Sequence, residues 1–304
     1  MNKVLLTGAS GFIGRQCLAH LVRANNEVHA VSRRRHDALP GVTWHDVNLL
    51  KEGEIGRLIA KLRPSHLLNL AWNAEPGRYW TAPDNFQWVR TGLEMMHAFA
   101  ENGGERIVMA GTCAEYDWNY GWCSEGETPL TPGTVYGTCK HSLQSMLETY
   151  SLQYELSSAW GRIFFLYGPY EHPSRLVSSV IASLLRGQPA ACTIGTQVRD
   201  FMHVADVASA FVSLLDSSVQ GAVNIASGES VTIRDVVSKI ALNLGRPDLI
   251  RLGEIPMSPS DPPLLLADVR RLHDELGWSP VMNLDQGLND AIQWWRSHDR
   301  KSLY

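Results

Sequence analysis

Short apolar runs take turns along this chain with longer segments in which apolar residues recur every third or fourth position. Residues 3–7 and 27–32 have the length and composition of buried strands, and 12–22 has helical spacing, which leaves the glycine-rich stretch after Thr7 as a strand-to-helix turn. Strand-like runs follow at 66–71, 106–110 and 158–165, interleaved with helical patterns at 52–62, 86–100 and 135–152. Such alternation predicts an α/β protein with a parallel sheet and helices on both faces. After about Tyr167 proline and glycine punctuate the chain, strands shorten, and helical spacing recurs at 205–215, 233–244 and 284–296. The pattern predicts one α/β unit over residues 1–166, to which some later segments return, and a smaller interleaved lobe over 167–304.

The length of 304 residues suits such an arrangement, and an apolar content of 44% with 19% charged residues excludes a disordered chain. Lysine and arginine number 27 against 31 acidic residues, a net charge of −4 that gives no general attraction to nucleic acid or to an anionic membrane. Five scattered cysteines without a C-x-x-C pair indicate neither a zinc site nor a disulfide framework. The chain enters an apolar strand at once with no leader pattern, and no apolar run reaches the roughly 18 residues of a membrane span. The expected compartment is the cytoplasm. Against the acidic balance, Arg33, Arg34 and Arg35 stand side by side.

Gly8, Gly11 and Gly14 lie in Thr7-Gly8-Ala9-Ser10-Gly11-Phe12-Ile13-Gly14, at the junction of first strand and first helix. Glycines there permit a tight turn, let backbone approach a pyrophosphate and allow close helix–strand packing, while the helix N-terminus supplies free N–H groups and a positive dipole. This predicts a dinucleotide site. About 20 residues beyond such a turn an acid bonds the ribose 2′-hydroxyl of NAD, whereas an arginine suits the 2′-phosphate of NADP. Here the second strand ends in Ser32-Arg33, 19 residues after Gly14, with no acid. NADP is favoured over NAD, with Arg33 and Arg34 as the phosphate ligands and Arg35 in a solvated basic loop.

The G-x-x-G-x-x-G turn, with Asn69-Leu70-Ala71, Tyr136-Gly137-Thr138-Cys139-Lys140, Tyr167-Gly168-Pro169, the Arg199-Asp200-Phe201-Met202-His203-Val204 run and Leu276-Gly277-Trp278-Ser279-Pro280, resembles the extended short-chain dehydrogenase/reductase family. That is the branch of nucleotide-sugar epimerases, dehydratases and ketoreductases. The resemblance spans almost the whole chain and implies a Rossmann-type doubly wound parallel sheet with a smaller C-terminal substrate-binding lobe. It also implies cofactor contacts from Ser10, Phe12, Ile13, Asp46 (at the adenine), Val47, Leu70 and Ala71, and a homodimer through helices such as 86–100 and 135–152.

Tyr136 and Lys140, four apart in a helical segment, share one face, and this Tyr-x-x-x-Lys occurs once in the chain. A phenol of pKa about 10 is a poor acid or base at neutral pH, and a neighbouring ammonium stabilises its anion. By resemblance Lys140 also binds the nicotinamide ribose. Thr112, four residues before Tyr116, takes the place of the family's third catalytic residue, orienting the reacting oxygen; the alternative is a threonine that caps a turn. After it stand Cys113-Ala114, where similar 4,6-dehydratases have Asp-Glu, so dehydration is disfavoured, with Glu115 the one nearby acid.

Arg199 would by resemblance bind the substrate phosphates, its alternative being an ion pair with Asp200 or Asp206. Arg175 is a second phosphate or sugar ligand, and His203 packs rather than reacts. Phe165 stands where relatives have an asparagine, and Trp88 replaces another, with Asn85 one turn earlier. Trp72, Tyr79, Trp80, Trp118, Tyr120 and Trp122 follow the fourth and fifth strands, placed either to stack on a base or sugar or to pack in the core or a dimer surface. The resulting expectation is NADPH-dependent reduction of a keto group, on a 4-keto-6-deoxyhexose linked to a nucleoside diphosphate, in glycan precursor synthesis. The alternatives are an epimerase with bound NAD(P), a reductase of a non-nucleotide ketone or aldehyde, and a non-catalytic NADPH sensor.

Overall fold

The computed structural model describes residues 1–34 and 36–298, so Arg35 lies outside the described residues. Its first half runs β1 (Lys3–Thr7), α1 (Gly14–Arg23), β2 (Glu27–Ser32), β3 (Val42–Asp46), α2 (Glu54–Leu62), β4 (His66–Asn69), α3 (Asp84–Glu101) and β5 (Arg106–Thr112). Then come β6 (Trp122–Cys123), α4 (Val135–Tyr154), β7 (Ser157–Ile163), β8 (Phe165–Tyr167), α5 (Leu176–Leu185), β9 (Ala190–Cys192), β10 (Val198–Arg199), β11 (Phe201–His203), α6 (Val204–Asp216) and β12 (Gly221–Ile225). The remainder is β13 (Val231–Thr232), α7 (Ile233–Leu244), β14 (Ile250–Leu252), β15 (Leu264–Ala267) and α8 (Leu284–His298).

Seven parallel strands form the main sheet in the order β12-β7-β5-β4-β1-β2-β3. Strands covered on both faces need apolar residues pointing both ways. All seven residues of β5 are accordingly buried. On one face Cys17, Leu18 and Leu21 of α1 pack with Val207 and Phe211 of α6. On the other, Ile55 and Ile59 of α2, Met95 and Phe99 of α3, and Leu143 and Leu147 of α4 form a second core. The chain order reverses between β1 and β4, and in a doubly wound sheet ligands bind outside the carboxyl ends of the strands at that point.

The lobe contains α5, α7 and α8, packed around Val177, Ile181, Val236, Ile240, Leu288 and Ile292. It is threaded through the sheet rather than appended to it, since α6 lies against α1 and β12 pairs with β7. Three small sheets, β8 with β11, β10 with β13, β15 and β6, and β9 with β14, complete the described strands.

Three strand boundaries differ from the periodicity. The 66–71 run ends as a strand at Asn69, and 106–110 extends to Thr112. The 158–165 run is two strands: the Phe164 N–H donates to the Ile225 carbonyl of the main sheet, but that of Phe165 donates to Asp200, so the chain changes partners there. Among the described residues no helix is long and apolar enough to cross a membrane.

Candidate active site

At the head of the site the turn from β1 to α1 is shaped by its glycines. Gly8 has φ +70°, and a Cβ on it would lie 2.7 Å from the Leu70 carbonyl carbon. One on Gly14 would lie 2.2 Å from the Gly8 oxygen. Strand, turn and helix therefore meet backbone to backbone, and the cradle above them suits a pyrophosphate at a helix N-terminus. This fit supports a dinucleotide in the cleft. Arg15, one residue into α1, donates to the Ser10 and Gly11 carbonyls at 2.6 and 3.2 Å and stiffens the turn.

A cleft of about 1490 Å³ opens over the carboxyl ends of the strands and runs from this turn into the lobe. That exceeds the roughly 300–1,000 Å³ of a single small-molecule pocket and leaves room for two ligands. Gly8, Ser10, Gly11, Phe12, Ile13, Gly14, Ser32, Arg33, Val47, Leu70, Ala71, Thr112, Tyr136, Arg175 and Arg199 all line it. Three expected contacts do not: Asp46 is exposed at the last position of β3, the exposed Arg34 is tied by its backbone N–H to Ser32 Oγ, and Lys140 lies beneath the wall. Ser32 is the hub of the β2 end, with His36 Nε2 at 2.8 Å and Ser10 Oγ at 3.4 Å.

β5 delivers Thr112 to the cleft, and α4 brings Tyr136 and Lys140 against it. The Thr112 hydroxyl accepts from the Ala114 N–H at 3.2 Å, and its own N–H donates to Glu115 at 2.8 Å, a reciprocal capping box. Thr112 is thus a cap, and it lines the cleft together with Tyr136. Burial pushes the Tyr136 phenol up, with the neighbouring Thr112 hydroxyl working against that shift. Edge-to-face rings wall the phenol in, Tyr79 at 4.9 Å, Trp80 at 5.8 Å and Trp72 at 6.3 Å between centroids. Lys140 Nζ donates to the Ala110 carbonyl at 2.7 Å, and burial pulls its pKa down to about 7 while Glu115 opposes that shift. Gly137, between them, lets α4 approach: a Cβ there would sit 2.3 Å from the Ala114 oxygen.

Glu115 is fully buried, accepting from Trp160 Nε1 at 2.9 Å and Arg162 Nε at 2.8 Å. Its carboxylate is committed to Trp160 and Arg162 and does not line the cleft. The Thr-x-x-Glu spacing was the available signal for this cap. Asn85, also fully buried, accepts from Trp72 Nε1 and donates to the Tyr79 and Ala82 carbonyls, so it fixes the 72–85 loop and leaves Trp88 on the cleft. Of the aromatic group, Trp72, Tyr79, Trp80 and Trp118 line the cleft, whereas Tyr120 and Trp122 are exposed outside its lining.

On the lobe side, Arg199 is buried and paired with Asp261 at 2.5 Å, not with Asp200 or Asp206. Asp200 instead accepts from Ser227 and Gly228, and Asp206 from the Val281 and Met282 N–H groups. Phe165 lies under the Arg199 guanidinium, 5.3 Å from it. Arg175, at the N-cap of α5, sets its guanidinium over the Tyr79 ring, 5.5 Å from the centroid, and so joins the lobe to the aromatic wall. His203 is buried, caps α6 and packs edge-on to Tyr167 at 5.5 Å.

A Rossmann-type sheet with a glycine cradle at the head of the cleft defines the class, a dinucleotide-dependent enzyme. Residues 4–226 match the NAD dependent epimerase/dehydratase family, and the chain belongs to it. It is 26% identical over 314 residues to UDP-glucuronic acid decarboxylase 1 of Danio rerio, covering 96% of this chain and 72% of that protein. The structure of MoeE5 with UDP-glucuronic acid and NAD shares 30% identity and a TM-score of 0.83 over 99% of this chain and 100% of that one. UDP-glucose 4-epimerase of Thermus thermophilus, solved with NAD, gives 25% and 0.84 over 97% and 99%.

Proposed function

We propose that the protein reduces a keto group on a nucleotide-linked sugar, a 4-keto-6-deoxyhexose, using NADPH. The observation that supports this reading is that Thr112 and Tyr136 line the same cleft as the glycine turn, with Lys140 buried one helical turn beyond Tyr136. A bound nicotinamide dinucleotide would supply hydride. Tyr136, kept protonated by burial, gives the proton of its hydroxyl to the sugar oxygen as the carbonyl becomes an alcohol, and the Thr112 hydroxyl holds that oxygen in line. The Lys140 ammonium lowers the cost of the phenolate left behind.

Support for NADPH comes from the β2 end, where Arg33 lines the cleft and no acid is present to take a 2′-hydroxyl. Asp46 and Arg34 have no part in this reading. Arg199 and Arg175 would meet the diphosphate and sugar, with Asp261 displaced from Arg199 or sharing it. The helices α3 and α4 would form a homodimer surface. A second reading, sugar epimerisation with retained NAD, is favoured by the NAD-bound Thermus epimerase. The two separate in one experiment: NADPH absorbance is followed with a panel of 4-keto nucleotide sugars, and the purified protein is assayed for retained nucleotide. Stoichiometric NADPH loss supports reduction; interconversion with no NADPH loss and tightly held NAD replaces it with epimerisation.

A further inference from the structure

The Lys140 ammonium rests on an indole. Nζ lies 4.0 Å from the centroid of the Trp72 ring, with Trp160 a more distant second ring at 5.9 Å. An ammonium carries three donors, and the one hydrogen bond seen for it among the described residues is to the Ala110 carbonyl, at a side chain only 4% exposed. A ring face offers negative electrostatic potential to a cation without asking for hydrogen-bond geometry. The Trp72 ring is itself fixed: Nε1 donates to Asn85 Oδ1 at 2.8 Å, and Asn85 Nδ2 spends both protons on the Tyr79 and Ala82 carbonyls at 2.7 and 2.9 Å. Trp88 of α3 stacks beside it at 6.2 Å. The charged group that acts on the ammonium is Glu115, in the turn after β5 and itself paired with Arg162 of β7, and Tyr136 lies one turn earlier on the same helix.

We propose that Trp72 is a positioning residue whose ring face keeps the Lys140 ammonium charged and in place beside Tyr136, with Asn85 holding that ring. The inference rests on the role given to Lys140 under the proposed function. The direction of the Lys140 shift, downward by burial to about 7, makes the ring consequential, because small changes in the stabilisation of the cation then alter its charge at neutral pH.

The test is NMR titration of the full chain with 13C-labelled lysine, the Lys140 signal being identified by its loss in Lys140→Arg. Trp72→Leu, which removes the ring face, is expected to lower the Lys140 midpoint by roughly 0.5 to 1.5 pH units. Trp72→Phe, which keeps a weaker face but no Nε1, is expected to fall between Trp72→Leu and the wild type. An unmoved midpoint in both variants overturns the proposal, as does an equal shift in both, which would assign the effect to the lost Asn85 bond. Should Trp72→Leu not fold, Trp72→Met, which also lacks a ring face, takes its place beside Trp72→Phe with the same readings. The titration uses no sugar. A shifted midpoint in a protein that reduces no keto sugar therefore overturns the proposed function alone, and an unmoved midpoint in an active reductase overturns this inference alone.

Discussion

The two ends of the cleft are built by different means. At the dinucleotide end one contiguous stretch, residues 7–14, makes the cradle, and it works through backbone: a left-handed Gly8, the close contact of Gly14 with Gly8, and free N–H groups at a helix start. At the lobe end the polar groups come from segments far apart, Arg175 before α5, Arg199 on β10 and Asp261 before β15, and they work through side-chain charge. The first end tolerates little change in shape; the second is tuned by ionisation and pairing. Substitutions that disturb shape should therefore damage the cradle, and substitutions that disturb charge should damage the lobe.

The largest expected effect lies where the two ends meet. Tyr136→Phe keeps the ring among Trp72, Tyr79 and Trp80 but removes the proton donor, and turnover should fall on the order of 10²–10⁴-fold with dinucleotide affinity unchanged. Turnover near the wild-type level would mean that Tyr136 is not the proton donor. Next comes the cradle: Gly14→Ala forces a methyl to within 2.2 Å of the Gly8 oxygen, and denaturant melts should show a loss of about 1–3 kcal/mol together with weaker dinucleotide binding. A fully stable, fully binding variant would mean that the turn is not shape-limited.

On the charged side, Arg199→Ala should raise the KM for the nucleotide sugar by roughly tenfold or more while leaving dinucleotide affinity alone. If Arg199 only anchors the 254–263 loop through Asp261, the variant will show a lower Tm at unchanged KM. The smallest effect belongs to Glu171, whose carboxyl burial pushes up to about 8 despite the Ser178 N–H and Arg175. Because the folded value lies above the unfolded one, the unfolded chain holds fewer protons between about pH 4.5 and 8, and wild-type stability falls as pH rises through that window. Glu171→Gln should therefore match the wild type in Tm near pH 5 and exceed it near pH 8. Equal Tm values at both would show that the carboxyl is solvated.

The same contrast explains what could be read from sequence. The β1–turn–α1 unit is legible because its residues are neighbours, and the Ser32-Arg33 end of β2 because its distance from the turn is set by one helix. Tyr136 and Lys140 are legible because one helix carries both. The Arg199–Asp261 pair joins positions 62 apart, and nothing local distinguishes Asp261 from Asp200 or Asp206 as the partner. Trp72 and Lys140 meet only because β4, α3 and α4 pack together, which no spacing reports. The break at Phe164 is invisible to periodicity since the chain is apolar on both sides of it. Glu115 lies between these cases: its capping pattern is local, but its commitment to Arg162 and Trp160 is not.

The end of β2, with Arg33 on the cleft, is proposed to select NADPH as an exchanging reductant. Paired titrations of NADPH and NADH into the wild type and Arg33→Ala test it most directly. Selection by Arg33 predicts tighter binding of NADPH than NADH to the wild type, and a loss of about tenfold in Arg33→Ala confined to NADPH. Equal affinities, or a preference for NADH that Arg33→Ala leaves untouched, would contradict it.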